Sequence, residues 1–293
     1  MKCCTLYTAL VTPFKEGRLD EQGLKTLLLR QRQEGIDGVV LLGTTGEAPT
    51  LSGEEKKRIL EIAKAELNNF PIMAGVGSPS TATAIEIAKM AEGEGADMLL
   101  AVTPYYNRPT QEGIFRHYEE LSKHTNLPIV VYSASARTGV NINVETAKRL
   151  SDIPNIVGIK EASNNLCQIM EMISEIKAKR KEFAVLSGDE ILTFSVMTMG
   201  GDGLIGSAVC NVFPKKMKAL VSALENQDLL KARERHFELL PLFKALFAET
   251  NPICIKAALS YFNLPGGDLR LPLTPLSYEK QKELAEILKC YQM

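Results

Sequence analysis

Ile156-Val157-Gly158-Ile159-Lys160-Glu161 is the stretch on which the reading of the fold turns. Ile156 to Ile159 form a short, unbroken apolar run of the kind found in a strand buried on both faces. A lysine then stands at the carboxyl end of that run. Its ammonium would be poorly solvated there, and desolvation lowers the pKa of an amine. A neutral amine attacks a ketone and forms a Schiff base. The ordinary alternative is a lysine whose head group reaches water, as most do.

Similar runs lie on either side: Leu6–Val11, Gly38–Leu42, Ile72–Ala74, Met98–Val102, Ile129–Tyr132, Ala184–Leu186 and Gly203–Ile205. The segments between them carry apolar residues at helical spacing, as in Ile59, Ile62, Ala63 and Leu67, or Ile85, Ala88 and Ala91. Strand starts at 38, 72, 98, 129, 156 and 184 recur at the length of one βα unit. Eight strands alternating with helices predict an α/β fold, a (β/α)8 TIM barrel. An open doubly wound sheet is the alternative, and it calls for a phosphate-type glycine loop after an early strand. Gly75-Val76-Gly77-Ser78-Pro79-Ser80 lacks the third glycine of a dinucleotide fingerprint, and Gly200-Gly201-Asp202-Gly203 precedes a strand. Both read as turns. Beyond about residue 211 the pattern becomes helical, over Phe213–Glu225, Asp228–Glu249, Asn251–Phe262 and Tyr278–Tyr291. The expected organisation is a barrel over 1–225 followed by a C-terminal helical domain over 226–293.

Of the 293 residues 45% are hydrophobic, enough for a large core. The net charge of −1, with no basic stripe, argues against a nucleic-acid partner. No run approaches the roughly 18 apolar residues of a membrane span. The six cysteines, among them the adjacent Cys3 and Cys4, form no C-x-x-C pair and are expected to be reduced thiols of a cytoplasmic protein. His117, His124 and His236 show no ligand spacing, so no catalytic metal is expected.

In a barrel the carboxyl ends of all strands face one pocket. The second strand runs into Gly43-Thr44-Thr45-Gly46-Glu47, whose hydroxyls and backbone amides can hold a carboxylate. The same turn also reads as a simple entry into the next helix. The fifth ends in Tyr132 with Arg137 close behind, a proton shuttle and an anion clamp, although either alone is more often structural. The fourth leads into Tyr105-Tyr106-Asn107, where paired tyrosines more often pack than react. Together the four ends supply an amine nucleophile, a phenol, hydroxyl relays and an anion clamp, the set a keto-acid aldolase needs.

At these residues the chain resembles the dihydrodipicolinate synthase family, within the N-acetylneuraminate lyase superfamily of Schiff-base aldolases. The matching segments are Thr8 to Phe14, Gly43 to Glu47, Thr103 to Pro109, Gly158 to Ala162, Ser187-Gly188-Asp189 and Asn251-Pro252-Ile253. They span essentially the whole chain in the family's order. The resemblance implies that Lys160 forms the imine with pyruvate, that Tyr132 is the general acid/base, and that Thr44 links it to Tyr106 of a neighbouring subunit. It implies that Thr45 holds the carboxylate of pyruvate and Arg137 that of L-aspartate 4-semialdehyde, with Gly188 and Ile205 lining the pocket through their backbones. No metal or organic cofactor is implied, and the expected assembly is a homotetramer of two tight dimers. The pathway implied is diaminopimelate and lysine biosynthesis.

Neuraminate lyases share the lysine and first tyrosine but not Arg137, which favours the short semialdehyde as acceptor. The alternatives are another pyruvate-dependent aldolase acting on a sugar-derived keto acid, or a non-catalytic pyruvate-binding paralogue. The chain departs from the family pattern twice. Tyr132-Ser133-Ala134-Ser135-Ala136-Arg137-Thr138 lacks the usual proline, which predicts a looser loop around Arg137 and weaker or broader acceptor binding. Pro79 and Thr83 stand where lysine-inhibited members carry asparagine and glutamate, which predicts weak or absent inhibition by L-lysine.

Overall fold

The computed structural model describes residues 5–291, so the Cys3-Cys4 pair lies outside the described residues. The chain opens with β1 (Leu6–Ala9), a short antiparallel hairpin of β2 (Phe14–Lys15) and β3 (Arg18–Leu19), and α1 (Glu21–Gln33). There follow β4 (Gly38–Leu41), α2 (Gly53–Glu66), β5 (Ile72–Gly75), α3 (Thr81–Gly93), β6 (Met98–Val102) and α4 (Gln111–Ser122). Next come β7 (Ile129–Ser133), α5 (Ser135–Thr138), α6 (Val144–Ser151), β8 (Ile156–Glu161), α7 (Leu166–Lys177), β9 (Ala184–Ser187), α8 (Thr193–Thr198) and β10 (Gly203–Gly206). The remainder is helical: α9 (Ala208–Val212), α10 (Pro214–Glu225), α11 (Leu229–Ala245), α12 (Ile253–Tyr261) and α13 (Tyr278–Leu288).

β1 and β4 to β10 close a parallel barrel in the order β1-β10-β9-β8-β7-β6-β5-β4. This is the (β/α)8 barrel expected from the apolar runs. The strands read as continuous apolar runs because they are buried along their length, β4 and β7 at every position. Carboxylates ahead of three strands pin the register from the amino end. Asp37, Asp97 and Asp202 accept the backbone amides of Leu6, Ile72 and Val185 at 3.0, 2.9 and 2.8 Å. Many of the helices begin on side-chain caps, including Ser52, which forms a capping box with Glu55, and Thr110, Asn143 and Asn165.

The chain groups into two compact units, one of Thr5 with Pro71–Ile205, the other of Leu6–Phe70 with 206–291. The first holds β5 to β9 and α3 to α8. The second holds β1 to β4, α1, α2 and the helices after β10. There the amide of Asn211 in α9 donates to Ala9 O and accepts from Val11 N, at 2.8 and 3.1 Å, tying α9 to β1. The helix expected over Phe213–Glu225 is α10 alone, started by Pro214 at its first turn, where a missing N–H loses no bond. Lys160 and Glu161 belong to β8 itself, two residues further than the apolar run reached. Among the described residues no helix is long and apolar enough to cross a membrane.

Candidate active site

In the first unit β7 and β8 pair in register, Tyr132 with Lys160 and Ser133 with Glu161. Residues paired across neighbouring strands share a face of the sheet, and their successors point to the other. Lys160 and Tyr132 are accordingly neighbours, with the lysine Nζ 4.3 Å from the phenol ring centroid. Both are buried, at 5% and 9% exposure, so Lys160 does not snorkel to water. An amine out of water is more readily deprotonated and more available as a nucleophile. Asp189, just beyond β9, is close enough to feel the charge of Lys160. Burial pushes its carboxyl above the usual range, while the Ile191 amide and Lys160 pull it back.

Glu161 lies on the opposite face, 1% exposed. Its carboxylate accepts from the Ser163 amide at 2.7 Å and the Gln168 amide group at 3.2 Å, and burial raises its pKa against those bonds. Its carbonyl accepts the Gly188 amide at 2.7 Å. A Cβ on Gly188 would meet Ala162 Cβ at 2.6 Å and Glu161 O at 2.9 Å, so only glycine permits this approach to the end of β8. Ile205, within β10, is fully buried.

Arg137 sits on α5, a single helical turn, and is exposed. The expected loose loop is an ordered turn here. Arg137 N and Thr138 N both bond Ala134 O, the Thr138 hydroxyl donates to Val140 O at 2.9 Å, and Gly139 ends the turn at φ +71°. Tyr106 is 93% exposed at φ +69°, a left-handed conformation unusual for a bulky residue. Its loop is held on both sides, by Asn107 Nδ2 to Pro79 O at 3.0 Å and Arg108 Nε to Gly139 O at 3.2 Å.

In the second unit β4 runs into the Gly43–Glu47 turn, which lies between Leu42 at φ +57° and Glu47 at φ +52°. Amides of Glu47 and Ala48 close it on Thr44 O and Gly43 O. Thr45, 2% exposed, accepts a bond from Asn251 Nδ2 at 3.0 Å. Thr44 is half-buried beside it.

A model of the dihydrodipicolinate synthetase family matches residues 2–291. The chain belongs to the dihydrodipicolinate synthetase family. The 4-hydroxy-tetrahydrodipicolinate synthase of Protochlamydia amoebophila is 50% identical over 285 residues, covering 97% of this chain and 95% of that protein. The crystal structure of dihydrodipicolinate synthase from Thermotoga maritima superposes with a TM-score of 0.95 at 43% identity, covering 97% of each chain. The Acinetobacter baumannii synthase, solved in complex with pyruvate, matches with a TM-score of 0.94 at 38% identity over 97% of each chain.

Four polar residues of this dihydrodipicolinate synthetase family chain were not singled out as site residues by the sequence: Asp189, Glu47, Asn251 and Lys256. The first three lie in segments that carried the resemblance. Lys256 had a signal of its own, a lone charge in the apolar run Ile253-Cys254-Ile255-Lys256-Ala257-Ala258-Leu259.

Proposed function

We propose that this chain is a 4-hydroxy-tetrahydrodipicolinate synthase, condensing pyruvate with L-aspartate 4-semialdehyde through a Schiff base on Lys160. The observation that carries the reading is the buried Lys160 amine against the Tyr132 phenol, in a chain that belongs to a synthase family. Lys160 attacks the ketone of pyruvate, and loss of water leaves a protonated imine. Tyr132, as general acid/base, moves protons in that step. The imine withdraws electrons from the methyl carbon, which loses a proton and becomes an enamine. The enamine carbon bonds to the aldehyde carbon of the semialdehyde, whose oxygen takes up a proton. The substrate's own amine then displaces Lys160 and closes the ring. The lysine amine is itself the electrophilic catalyst, and neither metal nor organic cofactor is called for.

In this reading Thr44 relays protons between Tyr132 and Tyr106, Thr45 holds the pyruvate carboxylate, and Gly188 and Ile205 line the pocket. Arg137, exposed on α5, receives the carboxylate of the semialdehyde. We propose a homotetramer of two tight dimers, with Tyr106 crossing to the neighbouring subunit. Its support is the exposed ring at positive φ on a loop otherwise held by hydrogen bonds. A cytoplasmic setting agrees with Cys167, Cys210, Cys254 and Cys290, all free thiols. The division into a 1–225 barrel and a 226–293 helical domain is likewise proposed, supported by the helices α11 to α13.

The test is pyruvate-dependent turnover of L-aspartate 4-semialdehyde, coupled to a dihydrodipicolinate reductase and followed as loss of NADPH. Turnover that disappears in Lys160→Ala is the expected result. Turnover of a sugar-derived keto acid in its place would overturn the assignment.

A further inference from the structure

We infer that the segment from Asn251 to Arg270 positions the carboxylate-binding turn, with Asn251 aiming the Thr45 hydroxyl and Lys256 holding Glu47. The inference rests on the reading that Thr45 binds the carboxylate of pyruvate.

The turn ends at Glu47, a non-glycine residue at φ +52°, which is unfavourable for an L side chain. The C-terminal segment supplies what holds it there. Lys256, on α12, meets the Glu47 carboxylate at 2.5 Å, and both side chains are buried to within 1%. The Arg270 backbone amide donates to the other carboxylate oxygen at 3.2 Å. Lys256 also donates to Asp268 O at 2.6 Å and lies over the Phe14 ring. Arg270 clasps Glu55, near the start of α2, at 2.8 and 2.5 Å and donates to Thr50 O at 3.0 Å. The whole exit of the turn is therefore tied to residues 256–270.

Desolvating two charges is expensive, and packed apolar side chains would stabilise this spot as well or better. Burial accordingly lowers the pKa of the Lys256 ammonium, against the pull of Glu47. What an ion pair adds over apolar packing is direction. Here it fixes a carboxylate whose own backbone closes the turn.

Asn251 acts one step closer. Its Nδ2 donates to Thr45 Oγ1 at 3.0 Å, and an amide nitrogen can only donate. Thr45 must accept in that bond, which leaves its single hydroxyl proton for another acceptor. A substrate carboxylate is such an acceptor, and bonds to charged groups are the stronger kind. Asn251 is thus a positioning residue for Thr45, and Lys256 for the turn as a whole.

The experiment measures the ligand concentration giving half-maximal borohydride-trapped adduct, for pyruvate and for its uncharged methyl ester. Asn251→Asp replaces a donor by an acceptor, turning the Thr45 proton away from the site. It should raise the half-maximal pyruvate concentration about tenfold or more and leave the methyl ester nearly unaffected. Turnover at saturating pyruvate should stay near that of the unaltered protein. Asn251→Ala should give a smaller shift of the same kind, and stands in if the aspartate variant does not fold. Lys256→Met combined with Glu47→Gln, which removes both charges together, should also raise the requirement for pyruvate alone. An unchanged pyruvate requirement, or equal shifts for both ligands, would overturn the inference. An adduct in the unaltered protein that Lys160→Ala abolishes supports the Schiff-base reading independently; its absence would remove that reading first.

Discussion

Lys160 stood out in the sequence as a candidate only together with the other strand ends, since a lysine closing an apolar run alone most often reaches water; the structure buries it beside Tyr132. Tyr132 was legible by its position at another strand end. The chemistry of both depends on residues that touch them without sequence proximity. If Tyr132 is the acid/base, Tyr132→Phe keeps the ring beside Lys160 and removes only the proton carrier. Its kcat should fall about a hundredfold or more while pyruvate can still be trapped. Measuring turnover and trapping on one preparation separates the two effects. Gly188→Ala should also be severe, because its Cβ would sit 2.6 Å from Ala162 Cβ at the end of β8. We expect a lowered unfolding temperature together with a loss of turnover, checked by calorimetry and the coupled assay. Lys256 was visible as a lone charge in an apolar run, but its pairing with Glu47 was not, and Asn251 was not legible as a site residue. The bond from Asn251 to Thr45 spans 206 residues of chain, and no local pattern carries information over that distance.

The strands were the most legible elements, because burial on both faces leaves a continuous apolar run. Their ends were less so, since Lys160 and Glu161 are polar yet belong to β8. The β2–β3 hairpin and the short α8 and α9 carry too few residues for a period to show. α5 departs from the loose loop expected of a missing proline, because the Thr138 hydroxyl and Gly139 close it. Ser135 is its first helical residue, a place that accepts proline. Ser135→Pro should therefore fold well and, with the turn already closed, leave the KM for the semialdehyde nearly unchanged, which steady-state kinetics would check; a clearly lowered KM would instead support the looser turn expected from the missing proline. The α3–α4 contact carries a pH dependence. His117 is buried on α4, with Nδ1 2.9 Å from Thr81 Oγ1, and desolvation lowers its pKa from 6.5 to about 4. On falling pH the unfolded chain takes up this proton before the folded one does. Stability from His117 is full above about 6.5 and is lost as pH falls to about 4, by up to about 3 kcal/mol. Urea midpoints against pH should fall more steeply for the unaltered protein than for His117→Gln, and parallel curves would refute it.

For the whole molecule, the (β/α)8 barrel follows from the count and order of apolar runs, and the family from motifs spread from Thr8 to Ile253. The assembly was legible only through the resemblance; the exposed Tyr106 at positive φ is in keeping with it. If that tyrosine completes a neighbour's proton relay, specific activity should drop as the protein is diluted to monomers. Sedimentation run alongside activity would check this, and activity retained by a monomer would contradict the shared relay. With Pro79 and Thr83 in place of asparagine and glutamate, L-lysine should inhibit weakly or not at all; strong inhibition at low concentration would refute this. The most direct test of the account is to incubate the protein with pyruvate and borohydride, digest it, and map the reduced adduct by mass spectrometry. A single pyruvyl group on Lys160, absent from Lys160→Ala, is the predicted result. No adduct, or an adduct on another lysine that survives Lys160→Ala, would contradict it.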